Sequence, residues 1–388
     1  MESTTMKQAI VELVEGRRDE LAGIAEQLFR FPETGLQEHR SAALLADALE
    51  REGFRLERGL AGMDTAFRAE YGSGGPAIAI LAEMDALPGL GHACGHNIIA
   101  AAAVGAAIAL RQAVPAGEAR IIVLGTPAEE LGIGKVELVK AGVFQGVDAA
   151  MMVHPSSRRV VIKHYLGLAR IRFTFAGRPS HAAAYPEEGI NALDGVIQTF
   201  NGINALRQQL RQDVRVHGII TDGGVAPNII PATAGCYFYV RASDLDEVGR
   251  VRDRVVACAE GAALATGCRL EVAADERVLA PLKINHTLSA LYSEQLAWLG
   301  LAEANAPADK NLGSSDIGNV SQVVPTIHPH VPIGAGVHIH TDAFARATVS
   351  DQGKQAVVEG ATVMALTAAE FFARSDLRKK IRDEFTNS

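Results

Sequence analysis

Residues 77–85 read AIAILAEMD, almost wholly apolar up to a terminal carboxylate. A strand of this kind cannot leave one face in water. It needs cover on both sides, which a parallel sheet flanked by helices supplies. Related strand-like runs are TAFRAEYG (65–72), RIIVLGTPAE (120–129) and AAMMVHP (149–155). Helical patterns lie between them at 97–113 and 134–141, and others precede them at 7–31 and 39–53, the latter ending on Gly53 as a helix C-terminus does. Apolar strands alternating with helices predict a mostly parallel, helix-covered α/β sheet.

From 168 to 280 the pattern changes. LARIRFTFAGR alternates like a half-buried strand, and a helix, two strands, a second helix and CRLEVAADER follow. That order, β-α-β-β-α-β, is a split open-faced sandwich. It interrupts the first pattern, which resumes with PTIHPHVPIG (325–334) and a long helix over 350–374. The expected division is a main domain of residues 1–167 and 281–388 with an inserted domain of residues 168–280. A length of 388 residues agrees with two cores rather than one.

Composition removes several function classes. A net charge of -8 and a pI near 5.9 give no basic footprint for nucleic acid or an anionic membrane. The apolar run IIAAAAVGAAIAL (98–110) is too short to span a bilayer and reads as a buried helix. The N-terminal stretch lacks a signal-like apolar core, and the four cysteines form no CxxC pair, so a cytoplasmic location is expected.

The chemistry is concentrated where the apolar strands end. AIAILAEMD is followed by GHACGHN (91–97), with Asp85, Cys94 and His96; RIIVLGT is followed by Glu129 and Glu130; AAMM leads to His154; and GAGVHIHTDAF (334–344) adds His338 and His340. Parallel strands send their C-terminal ends to one edge, so these donors converge there. Thiolate, imidazole and carboxylate together suit zinc or a similar ion. Cys94, His96, Glu130, His154 and one of the late histidines are more donors than one catalytic ion uses, so two adjacent ions are expected. Adjacent Glu129 and Glu130 after a buried strand have separate roles. Asp85 either orients a ligand or caps the turn before Pro88. Asn97 is placed to cap the following helix. His92 and His338 serve packing or support, and His39, His164, His217, His286, His328 and His330 lie outside the strand-end motifs.

The motifs MDALPGLGHACGHN, GTPAEE, MVHP, GRPSHAA, APNIIPATA and GAGVHIHTDAF, in this order over nearly the whole chain, resemble the metallo-amidohydrolases. These include aminoacylases, carboxypeptidase G, hippurate hydrolases, auxin-conjugate hydrolases and aminobenzoyl-glutamate hydrolases. The nearest branch carries GHACGHN, with Asp in many relatives where this chain has Asn97, and includes a β-alanyl-dipeptide hydrolase. The resemblance implies a zinc-peptidase-like domain with an inserted lid that dimerises. It implies two divalent ions, zinc first, with manganese, cobalt or nickel as alternatives. Carried over, Cys94, His96, Glu130, His154 and His340 are metal ligands, Glu129 is the general base, and Asp85 orients a ligand. In distant relatives a ligand His stands two residues before that Asp; here the position is Glu83, so a carboxylate or no ligand is implied. In the lid, His181 resembles a histidine that reaches a neighbouring subunit's site and stabilises the oxyanion, while Asn228 and Arg241 resemble substrate-holding residues.

The implied activity is hydrolysis of the amide bond of an N-acyl amino acid, aminobenzoyl-glutamate or small dipeptide. Two other readings stay open on the residues alone. One is a thiol hydrolase with Cys94 as nucleophile and His96 as base, which leaves Glu130, His154 and His340 without a role. The other is a non-catalytic metal-binding scaffold, for which Glu129 is superfluous.

Overall fold

The computed structural model describes residues 3–304 and 312–387, and the backbone divides into two compact units. The first comprises Met1–His164, Leu282–Asn311 and Asp316–Ser388; the second comprises Tyr165–Pro281 with Leu312–Ser315.

The first unit is built on β1 (Arg55–Arg58), β2 (Phe67–Tyr71), β3 (Ala77–Glu83), β4 (Arg120–Thr126), β5 (Ala149–Met151), β6 (His154–Ser156), β11 (Thr326–Ile327) and β12 (His330–Pro332). Six of these strands form one sheet in the order β1-β2-β4-β3-β5-β11, and β12 and β6 form a parallel pair of their own. The neighbours β4, β3, β5 and β11 run parallel, whereas β1 and β2 are antiparallel additions at one edge. TAFRAEYG therefore supplies the antiparallel strand β2.

The apolar run over 77–83 does what its composition demands. Ile78, Ile80 and Ala82 point into one core, while Ala77, Ala79 and Leu81 point into another on the opposite face. The first core is closed by α1 (Ser3–Glu15), α2 (Arg18–Arg30), α3 (His39–Arg51), α4 (His96–Ala113), α8 (His286–Trp298) and α11 (Asp351–Ala373). The second is covered by α5 (Gly134–Lys140) and α9 (Ile317–Val320), through Leu138, Ile317 and Val320. Every residue of α4 from His96 to Leu110 is buried, and its small alanine side chains let the sheet and the neighbouring helices α1, α2 and α11 pack closely around it. α11 is apolar and long enough to cross a membrane, but 89% of its most apolar window is buried in this core. Short α10 (Asp342–Ala347) and α12 (Ser375–Asn387) complete the unit.

The second unit is an antiparallel sheet of β7 (Gly167–Ala176), β8 (Arg215–Asp222), β9 (Thr233–Ala242) and β10 (Arg269–Ala274), ordered β10-β7-β9-β8. With α6 (Ala192–Leu206) and α7 (Leu245–Thr266) the chain order is β-α-β-β-α-β. Ile171, Phe173 and Phe175 of β7 and Cys236, Phe238 and Val240 of β9 pack with Val196, Ile203, Val251 and Val255 of the helices. The alternate residues carry cations and aromatics, with Arg172 stacked 4.6 Å from the Tyr237 ring. The edge strand β8 exposes Ile219 and Ile220, at 62% and 49%.

Candidate metal centre

The carboxyl ends of β3, β4 and β5 meet at one edge of the sheet, where the loops carry the donors. Cys94 and His96 are separated by Gly95, whose φ of 83° is left-handed. A β-carbon there would lie 2.3 Å from Pro155 Cγ, so no other residue fits. The turn it makes starts α4 and puts both neighbouring side chains into the site. Two of the non-glycine residues in the left-handed region also border the site: Ala128, just before Glu129, and His340, at φ 57° and 64°. Each is held by the fold around it. The Ala128 amide donates to the buried Glu38 carboxylate at 2.8 Å, and the His340 amide donates to the Ala93 carbonyl at 2.8 Å. Backbone strain of this kind persists only where the surroundings impose it.

His96 is oriented by Asp85. Its Nδ1 donates to the Asp85 carbonyl at 2.8 Å and lies 3.0 Å from Asp85 Oδ1, and the other carboxylate oxygen of Asp85 accepts from the Glu130 amide at 3.0 Å. One aspartate thus ties the GHACGHN loop to the GTPAEE loop and turns His96 Nε2 inward. That nitrogen is 3.3 Å from Glu83 Oε2 and 3.9 Å from Glu129 Oε2. His154 donates from Nδ1 to its neighbour's Pro155 carbonyl at 2.8 Å, leaving Nε2 3.5 Å from Cys94 Sγ. Across the site, His340 Nε2 is 3.9 Å from Glu130 Oε1.

The donors form two overlapping triads. Cys94, His96 and His154 offer atoms within 4.8 Å of one another, and so do Cys94, Glu130 and His340. Cys94 belongs to both, as a thiolate shared by two ions would. Two donors on a tetrahedral zinc at about 2.1–2.3 Å stand roughly 3.4–3.7 Å apart, close to the 3.5 Å between Cys94 and His154. His96 Nε2 and Glu130 Oε1 are buried without a hydrogen-bond partner among the described residues. Buried polar atoms are normally satisfied, and a bound cation would satisfy both. The residues present therefore fit a pair of divalent ions.

The electrostatics point the same way. Burial pushes the Cys94 thiol far up, which disarms it as a nucleophile until a cation favours the thiolate. Burial would depress His96, but the facing Glu83, Cys94 and Asp85 outweigh it and raise it well above the usual imidazole value. Burial would raise Asp85; His96 and the Glu130 amide overcome it and hold the carboxyl below its usual range. Glu129 is pushed well above the carboxylate range by burial and by Glu83 and Asp316. Burial lowers His154 to about 4.

The structure gathers Cys94, His96, Glu129, Glu130, His154, His340 and Asp85 at this edge. His338 stays in the exposed part of its loop, where its carbonyl accepts from Thr341 Oγ1 at 2.7 Å. Asn97 does not cap α4. Gly95 occupies that place, and the Asn97 amide donates inward to the Ala25 carbonyl and to Thr348 Oγ1 at 3.2 and 3.1 Å. Three residues without an assigned role also appear. His328 and His330 place their rings 5.5 and 5.3 Å from the His154 ring, and Lys135 is buried against Glu83 and Asp316. The two histidines within the strand-like stretch PTIHPHVPIG were the available signal for the first two.

In the second unit, His181 and Asn228 are neighbours. Ala182 donates to the Asn228 carbonyl at 3.0 Å, and both residues are exposed. His181 Nδ1 accepts from the Ala183 and Ala184 amides at 3.3 and 3.2 Å, which leaves Nε2 as an outward donor. Arg241 stands apart from them, at the opposite end of β9, where it donates to Ser314 Oγ at 2.7 Å and stacks over Tyr239.

Comparison with known proteins matches residues 166–266 to a peptidase dimerisation domain. The chain is 37% identical over 396 residues to the mouse Xaa-Arg dipeptidase, covering 98% of this chain and 92% of that protein. It is also 37% identical over 320 residues to one of the subunits of the Escherichia coli p-aminobenzoyl-glutamate hydrolase, covering 76% and 66% of the two chains. Among solved structures, a dinuclear metal binding peptidase of the M20 family from Bacillus subtilis superposes with a TM-score of 0.73 at 22% identity, over 92% of this chain and 99% of that one.

Proposed function

The chain belongs to the M20 family of metal-dependent amide hydrolases, and on that premise we propose that it splits small dipeptides or N-acyl amino acids at a centre of two divalent ions. Cys94, His96 and His154 would hold one ion and Cys94, Glu130 and His340 the other, with zinc as the first candidate and manganese, cobalt or nickel as alternatives. The observation that carries this reading is the pair of donor triads sharing Cys94, with Glu129 left over beside them. When bound there, two such ions would supply Lewis acidity toward an attacking water and an amide carbonyl.

The chain's own groups do the rest. Glu129 Oε takes a proton from the attacking water. The hydroxyl joins the acyl carbon, the C–N bond breaks, and Glu129 returns the proton to the leaving amine. Asp85 keeps His96 in one tautomer and one orientation. His181, whose Nε2 is the free donor, stabilises the oxyanion from the lid of a second subunit, and Asn228 beside it contacts the substrate. Arg241 suits a substrate carboxylate, although its hydrogen bond to Ser314 also supports a purely structural role.

The match over the full chain to a protein named for Xaa-Arg dipeptides supports dipeptides with a basic C-terminal residue as the first substrates to try. The dimerisation-domain match and the exposed isoleucines on edge strand β8 support a homodimer formed through the second unit. Four free cysteines support a reducing, cytoplasmic location. The test is a hydrolysis screen of Xaa-Arg and Xaa-Lys dipeptides, β-alanyl dipeptides, N-acyl amino acids and aminobenzoyl-glutamate, with each metal in turn. Turnover that survives exhaustive chelation would overturn the metal reading and return Cys94 to the role of nucleophile.

A further inference from the structure

Beside the two triads lies a third group of donors. Carboxylate oxygens of Glu83, Glu129 and Asp316 approach within 4.8 Å of one another. By charge alone this is another cation site, yet it already contains a cation. Lys135 is wholly buried, and its Nζ is 2.6 Å from Glu83 Oε1 and 2.6 Å from Asp316 Oδ1. The Lys135 amide donates to the second oxygen of Asp316 at 2.9 Å, so one aspartate grips both ends of the residue.

We propose that Lys135 is a positioning residue for the reaction: its ammonium is the resident cation of a third carboxylate pocket, and by filling that pocket it fixes Glu83 and keeps Glu129 out of the metal's coordination sphere and free to act as base.

The fold delivers Lys135 to this place by the shortest route from the base. Ala128, Glu129 and Glu130 form the turn after β4, and the Ile133 amide closes back on the Ala128 carbonyl at 3.1 Å. Gly134 presses the start of α5 against the Pro127 carbonyl so closely that a β-carbon there would overlap the oxygen. Lys135, one residue on, is thereby rigid with respect to Glu129. Its two partners arrive from elsewhere, Glu83 from the end of β3 and Asp316 from the residue before α9. Glu83 uses one oxygen for Lys135 and turns the other toward the inward nitrogen of His96, at 3.3 Å. The ammonium is thus linked through Glu83 to a proposed metal ligand and shares a carboxylate pocket with the proposed base.

A divalent ion and an ammonium answer the same negative charge differently. An ion coordinates carboxylate oxygens strongly and would hold Glu129 as a ligand, which a base cannot be. An ammonium offers three hydrogen bonds and leaves the remaining oxygens uncoordinated. Removing Lys135 leaves three carboxylates with no resident counter-charge, so metal binding rises while turnover falls. A residue that merely supported the fold would lower both together.

The experiment uses the full-length metal-loaded enzyme and counts ions per chain by elemental analysis after equilibration with excess Mn(II) and gel filtration. Lys135→Met is expected to retain more than two ions per chain where the wild type retains two. Its kcat should fall by about 10- to 100-fold, the usual cost of disturbing the groups behind a metal site, with KM little changed. The triple variant Glu83→Gln/Lys135→Met/Asp316→Asn, in which the pocket has lost both its ammonium and two of its carboxylates, should return to two ions. Should Lys135→Met not fold, Lys135→Met/Asp316→Asn removes one charge of each sign and serves in its place, with the same expected rise in metal uptake and fall in kcat. Two ions with wild-type kcat in the variant that folds, or a joint loss of metal and thermal stability in the single and triple variants alike, would overturn the proposal. It rests on Glu129 as the base, and that reading fails separately: an active Glu129→Gln enzyme would refute the base without touching the ion count of Lys135→Met.

Discussion

The two units present their candidate functional residues in opposite ways. At the sheet edge of the first, several residues are held by more than one contact or by an imposed backbone. His96 has two contacts to Asp85, Asp85 has a second bond to the Glu130 amide, and Ala128 and His340 are held in left-handed backbone by buried hydrogen bonds. In the second unit, His181 and Asn228 are exposed and are fixed through the backbone of two short adjacent segments. The first arrangement suits a site built before any ligand arrives, since precise donor placement lets the energy of binding go into the reaction. The second suits residues that meet the substrate from outside. The contrast makes distinct predictions for variants of each kind.

The largest expected effect is at Glu129, the proposed base. Glu129→Gln keeps size and burial and removes only the proton acceptor. The kcat should fall by about 10²–10⁴-fold, the usual worth of a positioned base, with metal content unchanged by elemental analysis. Near-normal kcat with full metal loading would remove Glu129 from the mechanism. His181→Ala should cost somewhat less, about 10²–10³-fold for one oxyanion donor, with folding and metal binding intact because, among the described residues, its ring accepts only from the Ala183 and Ala184 amides. If His181 serves a neighbouring subunit, mixing Glu129→Gln with His181→Ala chains gives heterodimers with one complete site, and activity rises above that of either variant alone. Heterodimers shown to form but to remain inactive would confine His181 to its own chain.

How far the molecule could be read from its sequence follows from the same contrast. The parallel sheet was legible because AIAILAE has no face to spare for water, and Cys94, His96, Glu129, Glu130 and His154 were legible because they follow such strands, whereas His340 was singled out from His338 only by the resemblance. The lid's β-α-β-β-α-β order was legible from its alternating strands and two helical stretches. Features set by distant residues were not. Lys135 and Asp316 are 181 positions apart, and no local pattern announces that a lysine in GIGKVEL will be wholly buried. Asn97 stands where a helix-capping side chain is common, but the left-handed turn at Gly95 had already started the helix, so its amide was free to face the core. His328 and His330 read as parts of a strand because nothing in their own neighbourhood shows that β12 pairs with β6 beside His154. The helical pattern over 7–31 is two helices, α1 and α2, broken at Gly16 and Arg17.

An intermediate effect is expected at Asp85, which acts through the residues it orients. Asp85→Asn retains the shape but replaces the carboxylate between His96 Nδ1 and the Glu130 amide. Metal affinity should fall by about 10- to 100-fold, read by competition with a chromogenic chelator, and excess metal should restore part of the turnover. That partial rescue separates Asp85 from Glu129, whose loss no metal concentration repairs. Unchanged affinity would reduce Asp85 to a cap of the turn before Pro88.

The smallest effect concerns a histidine that holds no ligand position. His92 is 1% exposed, and burial, with His96 nearby, lowers it to about 3 from an ordinary value near 6.5. Its folded form is therefore neutral. Above the ordinary value both folded and unfolded chains carry it uncharged, and its contribution to stability is complete. As pH falls below that value the unfolded chain takes up a proton that the folded chain refuses, so stability is lost at about 1.4 kcal/mol per pH unit until the folded value is reached. Other groups in the site titrate in the same range with both signs, so the wild-type curve alone does not isolate this contribution. The difference between wild type and His92→Gln does, because glutamine has nothing to protonate. In chelator, His92→Gln should start less stable than wild type at neutral pH and gain on it by roughly 2 kcal/mol between pH 6.5 and 5. Parallel denaturation curves across that range would mean that His92 takes up its proton in the folded state too.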